Sequence, residues 1–242
     1  MPSYNAERYI AASIESVIRQ TYQNWELVIT DDCSIDRTVE VARKYCESDK
    51  RVNIAIADKH TGIAGTRNQC IAKAKGDFIA FLDNDDLWMP TKLEKQVRFM
   101  IENQYPFSYT AYELIQEDGT PKGKTIHTAG IVDYYKYLRN TIIGSGTILL
   151  DRKKTGPLTM PDNATSDDMA LWCKILKDGH KAYPFEEVLM QYRVRNNSAS
   201  ANKWKAAKDV WRVYRKLERL SLPFSVFCFC GYAFNAIKKR LG

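Results

Sequence analysis

The sequence predicts an α/β protein: an open, mainly parallel sheet flanked by helices, with a helical appendage at the C-terminus. Three observations carry this. Phe78-Ile79-Ala80-Phe81-Leu82 is five apolar residues with no polar alternation, the pattern of a strand buried on both faces of a parallel sheet. Strand-like and helix-like segments alternate through the first hundred residues, which builds βαβ units. Charge then divides the chain: residues 203–242 hold ten Lys/Arg and two Asp/Glu, against 26 and 27 in residues 1–202. We therefore expect a body over 1–202 and a basic, amphipathic helical tail over 203–242.

Pro2-Ser3-Tyr4-Asn5 reads as a loop, with Asn5 as the N-cap of a helix from Ala6 to about Gln20. Ile10, Ile14, Val17 and Ile18 give that helix one apolar face. Trp25–Thr30 is a strand ending in Asp31-Asp32-Cys33-Ser34, and a second helix begins at Asp36. Val52–Ile56 is extended, and Gly62–Lys75 is helical until Gly76 stops it. A loop placed like Pro2–Asn5 is normally fed by a strand, so a further strand is expected upstream of Met1. After Met89-Pro90 a helix runs to about Asn103, with Pro in its first turn. Residues 107–115 and 188–194 read as strands, as does Thr147–Leu150 after Gly144-Ser145-Gly146. Val132–Arg139 reads as a helix, and Ser166-Asp167-Asp168 opens another whose apolar face is Met169, Leu171, Trp172 and Ile175.

With 242 residues, 45% of them hydrophobic and 27% charged, the chain is long enough to bury a substantial core. The six cysteines (33, 46, 70, 173, 228, 230) have neither zinc-site spacing nor a plausible disulfide framework, and read as reduced apolar residues. No secretory leader pattern follows Met1, so a cytoplasmic protein is expected.

Chemistry concentrates in three acidic groups where strands end or helices begin: Asp31-Asp32, Asp83/Asp85/Asp86 and Asp167-Asp168. Ligands of open α/β sheets sit at the carboxyl ends of strands. An Asp-x-Asp delivered there offers hard oxygen ligands for Mg²⁺ or Mn²⁺, ions that usually also bind substrate phosphates. Each group alone also reads as a solvated turn or a helix cap. Together with Tyr4 and Arg193-x-Arg195, they point to a charged ligand held from several loops.

The ordered set Pro2-Ser3-Tyr4-Asn5-Ala6-Glu7, Ser16–Tyr22, Asp31–Asp36, Ala64-Gly65-Thr66-Arg67-Asn68, Gly76–Asp86 and Met89-Pro90 resembles family 2 glycosyltransferases. Within them it looks closest to bacterial enzymes of teichuronic acid and other surface polysaccharides. The resemblance spans about residues 1–200. It implies a GT-A fold, Rossmann-like in binding a nucleotide, that transfers a sugar from a nucleotide-diphospho-sugar with inversion. Pro2, Ser3 and Tyr4 would line the nucleotide, with Tyr4 stacking on the base and Asp32 accepting from it. Arg67 would reach the diphosphate or ribose. Asp83 and Asn84 would hold ribose or sugar, and Asp85, with Asp83, would hold the metal that neutralises the departing diphosphate. Asp168 would be the general base, although the family's usual pair is Glu-Asp where this chain has Asp167-Asp168. Tyr192-Arg193-Val194-Arg195 resembles a Tyr-Arg-x-His segment, with Arg193 on the diphosphate and Arg195 replacing a potential metal ligand. Trp172 reads equally as core or as a sugar platform, and Asp86 as a helix N-cap. No chemistry is assigned to His60, His127 or His180.

In the tail, Lys203–Leu220 is a cationic helix carrying Trp204, Val210, Trp211, Tyr214 and Leu217. The apolar run from Leu222 to Phe234 falls short of the roughly 20 residues that span a bilayer. Aromatic bulk beside Lys238-Lys239-Arg240 suits an interfacial helix on an anionic leaflet, or else a helix packed on the body. The expectation is thus a metal-dependent transferase using a UDP-sugar and a lipid-linked or polysaccharide acceptor. It would sit on the cytoplasmic face of the inner membrane and bind no nucleic acid. A catalytically inactive scaffold of the same fold, and a sugar nucleotidyltransferase, are the alternatives. The second calls for a Gly-rich phosphate loop, and Pro2–Arg8 contains no glycine.

Overall fold

The computed structural model describes residues 1–161, 167–195 and 203–241. Its N-terminal part is β1 (Pro2–Ser3), α1 (Ile10–Ile18), β2 (Leu27–Asp31), α2 (Thr38–Ser48), β3 (Val52–Ile56) and α3 (Gly62–Lys73). The three strands form a parallel sheet in the order β1-β2-β3, with Pro2 opposite Thr30 and Leu27 opposite Val52. Ile10, Ile14 and Val17 of α1 are buried with Leu27 and Ile29 of β2. Helix α1 starts later than expected, because Asn5 does not cap it. Asn5 sits at φ 45°, a left-handed conformation asparagine tolerates, and its Oδ1 accepts from the Ile35 amide at 3.0 Å.

Next come β4 (Phe78–Ile79), β5 (Leu87–Trp88), α4 (Lys92–Asn103), β6 (Phe107–Ile115), β7 (Pro121–Ile126) and α5 (Tyr134–Arg139). They are followed by β8 (Ile148–Asp151), α6 (Arg152–Thr155), α7 (Asp167–Lys177) and β9 (Tyr183–Arg193). A second sheet has the order β4-β8-β6-β9-β5, with β7 paired to β6. Only β6 and β9 run parallel in it, so the sheet is mixed and the parallel character belongs to the N-terminal part. The Ser166 expected to open α7 lies outside the described residues.

The apolar run 78–82 is buried as expected at Ile79, Phe81 and Leu82, but only Phe78 and Ile79 pair, antiparallel to Asp151 and Leu150. The physical reason is a trough of about 620 Å³ between β2 and this run, lined by Leu27, Val28, Ile71, Ile79, Phe81 and Leu82 among others. Met1 is among the residues that line it, and its amino group donates to the Val28 carbonyl at 2.8 Å. Side chains bury the run from its faces, while Ala80–Leu82 lie outside the ladders.

The tail comprises α8 (Lys203–Arg212), a π-helical turn (Val213–Leu217) and α9 (Leu222–Leu241). Its inner side is not an independent appendage: Val210, Val213, Tyr214 and Cys228 belong to the same core as Phe107, Tyr137 and Trp172. The Tyr214 hydroxyl donates to the Leu138 carbonyl, and that of Tyr134 to Glu218 at 2.6 Å. Helices α5 and α9 approach so closely at Gly231 that a Cβ there would stand 2.9 Å from Arg139 Cβ. On its outer side α9 exposes Leu222, Val226, Phe227, Phe234 and Ile237.

Candidate active site

At the carboxyl edge of the parallel sheet, the loops after β1 and β2 are tied together. Ser34 Oγ accepts from the Asn5 amide at 2.8 Å, Thr38 Oγ1 from Ala6 at 2.7 Å and Asp36 Oδ2 from Glu7 at 3.1 Å. Asp31 is spent locally, accepting from the Ser34 amide and hydroxyl. This fixes Tyr4, about half exposed at 49%, with its ring 4.8 Å from that of His60 on the loop after β3. Asp32 is buried, and its oxygens accept from the Thr61 amide (2.7 Å) and the Gly62 amide (2.8 Å) at the start of α3. His60 Nδ1 lies 3.0 Å from Asp32 Oδ2. His60 is thus a third member of the Tyr4–Asp32 corner, and nothing in its sequence context singled it out.

Asp83-Asn84-Asp85-Asp86 forms a tight turn, closed by the Asp86 amide donating to the Asp83 carbonyl at 3.3 Å. Within the turn Asp83 and Asp85 each have a guanidinium partner. Arg67 Nη2 reaches Asp83 Oδ1 at 2.6 Å, and Arg195 Nη2 reaches Asp85 Oδ2 at 2.7 Å. Burial and the neighbouring Asp83 charge hold the Asp85 carboxyl above its ordinary pKa, against the pull of Arg195. Asp86 is buried and shifted well upward, by burial first and then by Asp85 and Asp83. It does not cap a helix: α4 begins only at Lys92, and Asp86 Oδ1 instead accepts from the Arg193 amide at 2.9 Å, joining the turn to the end of β9.

Arg67, on α3, is 4% exposed and joins the acidic groups. Burial alone would lower its pKa, but Asp83, Asp168 and Asp167 outweigh that and hold it above the ordinary value. Asp167 and Asp168 open α7, where unpaired amides and the helix dipole favour negative charge. Asp168 is half-buried and its Oδ2 accepts from Ser145 Oγ at 2.9 Å. Asp167 is buried, its Oδ2 has no hydrogen-bond partner among the described residues, and burial pushes its pKa up to about 6. Trp172 is fully buried against Phe81 and Phe107, with ring centroids 5.9 and 5.4 Å away. It is a core residue rather than a sugar platform.

Arg193 departs from its expected place on a diphosphate. It is buried, its Nε donates to the Asp85 carbonyl at 2.8 Å and its Nη1 to the Glu117 carbonyl at 2.9 Å. Those bonds hold the acidic turn, so the guanidinium acts as a brace. Arg193 and Arg195 both face the Tyr9 ring, 5.3 and 5.2 Å from its centroid, and the Tyr9 hydroxyl donates to Glu117 at 2.6 Å. Tyr9 and Ser145 were not legible as site residues, because each contributes through a contact distant in sequence.

Among the described residues no three metal-capable side chains converge. Asp83 and Asp85 nonetheless suit a magnesium- or manganese-like ion, which characteristically takes one or two carboxylates and completes its shell with phosphate oxygens and water. Burial first, and the Asp83 charge second, raise the Asp85 carboxyl, and a bound cation would act against both.

Comparisons with known proteins identify the family and the fold. The model of Glycosyl transferase family 2 matches residues 1–165. The chain is 46% identical over 240 residues to the putative teichuronic acid biosynthesis glycosyltransferase TuaG of Bacillus subtilis (strain 168), covering 99% of this chain and 95% of that one. It is 41% identical over 241 residues to the Escherichia coli UDP-Glc:alpha-D-GlcNAc-diphosphoundecaprenol beta-1,3-glucosyltransferase WfgD, covering 99% and 93%. In fold it resembles S. aureus TarS 1-349 in complex with UDP-GlcNAc, with a TM-score of 0.73 at 19% identity over 88% of this chain and 63% of that one. It likewise resembles the mannosyltransferase PcManGT of Pyrobaculum calidifontis, with a TM-score of 0.71 at 18% identity over 98% and 69%. These neighbours share the GT-A architecture, and the chain belongs to glycosyl transferase family 2.

Proposed function

We propose that this glycosyltransferase moves a sugar, with inversion, from a UDP-sugar to a hydroxyl of a lipid-linked oligosaccharide or surface polysaccharide. The observation that carries the reading is the convergence at Arg67, which pairs with Asp83 and whose charge is held by Asp167 and Asp168. One buried cation thereby links the edge that would bind the donor to the helix terminus that would serve the acceptor. The relatives' names support the substrate classes: one is assigned to teichuronic acid synthesis, the other to transfer from UDP-Glc onto a GlcNAc-diphosphoundecaprenol.

Tyr4 presents a flat ring to the base at an edge whose loops are already fixed, so little ordering is lost on binding. Asp83 and Asp85 would hold Mn²⁺ or Mg²⁺, which supplies charge neutralisation where the diphosphate departs. Inversion by direct displacement needs no protein nucleophile. The acceptor oxygen bonds to the anomeric carbon, the bond from that carbon to the diphosphate oxygen breaks, and the nucleoside diphosphate leaves with the electron pair. The hydroxyl proton passes to Asp168. Ser145 fixes the orientation of that carboxylate through Oδ2.

The outer side of α9 supports a location at the membrane surface. Leu222, Val226, Phe227, Phe234 and Ile237 form an exposed apolar side of a helix in a strongly basic segment. Among the described residues no helix is long and apolar enough to cross a membrane. A lipid-linked acceptor would meet the enzyme at that surface. The test is sugar transfer from UDP-glucose and UDP-N-acetylglucosamine to a synthetic prenyl-diphosphate-linked sugar, with the product's anomeric configuration read by NMR. Transfer giving the β-product from the α-linked donor supports the reading; retention overturns it.

A further inference from the structure

The pairing of Arg195 with Asp85 contrasts with the other two carboxylate attachments of the acidic turn. Asp83 is held by Arg67, a guanidinium 4% exposed and anchored within α3, and Asp86 by a backbone amide. Arg195 lies just past the end of β9, its side chain is 30% exposed, and its Nη2 reaches Asp85 Oδ2 at 2.7 Å. Its Nε is buried with no hydrogen-bond partner among the described residues, so this position leaves part of the fork unused. The Tyr9 ring, 5.2 Å from the guanidinium, gives it a surface along which to shift while keeping a cation–π contact. An arginine cannot ligate a metal, yet here it occupies the carboxylate oxygen that a cation would take.

We propose that Arg195 is the resident counter-ion of Asp85: a divalent cation must displace it, and the displaced guanidinium then takes up the donor's diphosphate. The proposal rests on the donor site described above. It makes the metal and the nucleotide mutually supportive. Without nucleotide, the ion competes with a guanidinium already in place. With nucleotide, the guanidinium has a bidentate partner of its own and the competition ends.

The experiment titrates Mn²⁺ into nucleotide-free protein, following the free ion by electron paramagnetic resonance, in wild type, R195A, R195K and D85A. Removing a half-buried opposing charge should tighten Mn²⁺ binding in R195A by roughly 5- to 20-fold, while R195K stays near wild type. UDP affinity at saturating Mn²⁺ should fall about tenfold in R195A, as expected for a lost charge-assisted contact. If R195A lowers the unliganded Tm, R195Q gives the same readout with the stem over Tyr9 kept. Mn²⁺ binding in R195A or R195Q no tighter than wild type, while D85A abolishes it, overturns this proposal and leaves the donor site standing. Mn²⁺ and UDP binding unchanged in D85A overturns both.

Discussion

Arg67 and Asp83 meet at 2.6 Å although they stand sixteen positions apart, one buried on α3 and the other at the first position of the acidic turn. Asp167 and Asp168 act on the same guanidinium, so the pair ties the acidic turn electrostatically to the start of α7. Arg67→Met should therefore do more than lose a binding contact. It leaves Asp83 and buried Asp167 without their cation, and should destabilise the fold by about 3–5 kcal/mol, the usual cost of removing one partner of a buried pair. Chemical denaturation measures it.

Asp168→Asn keeps the shape and the Ser145 contact but removes the proton acceptor. The kcat of transfer should fall by about 10²–10⁴, the contribution typical of general base catalysis. UDP binding should stay within about twofold, since the role proposed for this carboxylate is towards the acceptor. Steady-state kinetics beside nucleotide titration separates the two effects.

Asp167 should cost stability at neutral pH. Its folded pKa of about 6 exceeds the ordinary 3.8, so between those values the folded state binds more proton than the unfolded. Its contribution is most favourable below pH 4 and is lost as pH rises through 6. Asp167→Asn should stabilise the protein at pH 7 by about 1–3 kcal/mol, at roughly 1.4 kcal/mol per pKa unit, and flatten the dependence between pH 4 and 6. Denaturant midpoints across that range decide it.

Lys92 gives the opposite sign. It is fully buried beside Trp88, Gln96 and the Thr147 carbonyl, and burial lowers its pKa from 10.5 to about 7. Between those values the unfolded state binds the extra proton, so wild-type stability should rise with pH from 7 towards 10. Lys92→Met should remove that slope, read as the difference between the two proteins from pH 7 to 9.5.

Much of this architecture was legible. Hydrophobic periodicity located α1 and the apolar face of α7, Val52–Ile56 was legible as β3 and the segment after Met89-Pro90 as α4, and the carboxyl ends of β2 and of the run 78–82 carry the acidic groups as strand logic requires. Three parts were not legible, each for a physical reason. Asn5 is a good cap by type, but its left-handed backbone turns it to Ile35 instead. Arg193 and Arg195 are chemically alike, two positions apart and both against the Tyr9 ring; strand pairing ends at Arg193, which bonds to carbonyls, while Arg195 beyond it pairs with Asp85, a division that residue type does not encode. Trp172 lies one turn after Asp168, so its helical phase decides between sugar and core, and Phe81 and Phe107 take it.

The trough between β2 and the run 78–82 is lined from both by Leu27, Val28, Ile79 and Leu82, and a strand seated there would lie between them. Fusing an apolar extended segment of about five residues ahead of Met1 should raise Tm by several degrees, because each buried aliphatic side chain contributes about 1.5–3 kcal/mol. Equal melting of the two proteins would show that the trough does not take a strand.

Exposed apolar residues on α9 should matter for lipid and not for folding. Phe227→Glu with Phe234→Glu should leave Tm within about 2 °C, as surface substitutions usually do. The same pair should lower binding to vesicles containing anionic phospholipid at least tenfold, by removing apolar burial and adding like charge. Vesicle co-sedimentation reads the loss.

Thermal stabilisation by UDP with and without Mn²⁺, in wild type and Asp85→Ala, decides whether Asp83 and Asp85 form a metal-dependent diphosphate site. A ligand at about 100 times its Kd adds about 2.7 kcal/mol of stability, so wild type with both should melt roughly 5–10 °C higher. UDP alone should give a much smaller shift, and Asp85→Ala should lose the metal-dependent part. An equal shift with and without Mn²⁺, or one that survives in Asp85→Ala, would contradict a metal site at these carboxylates.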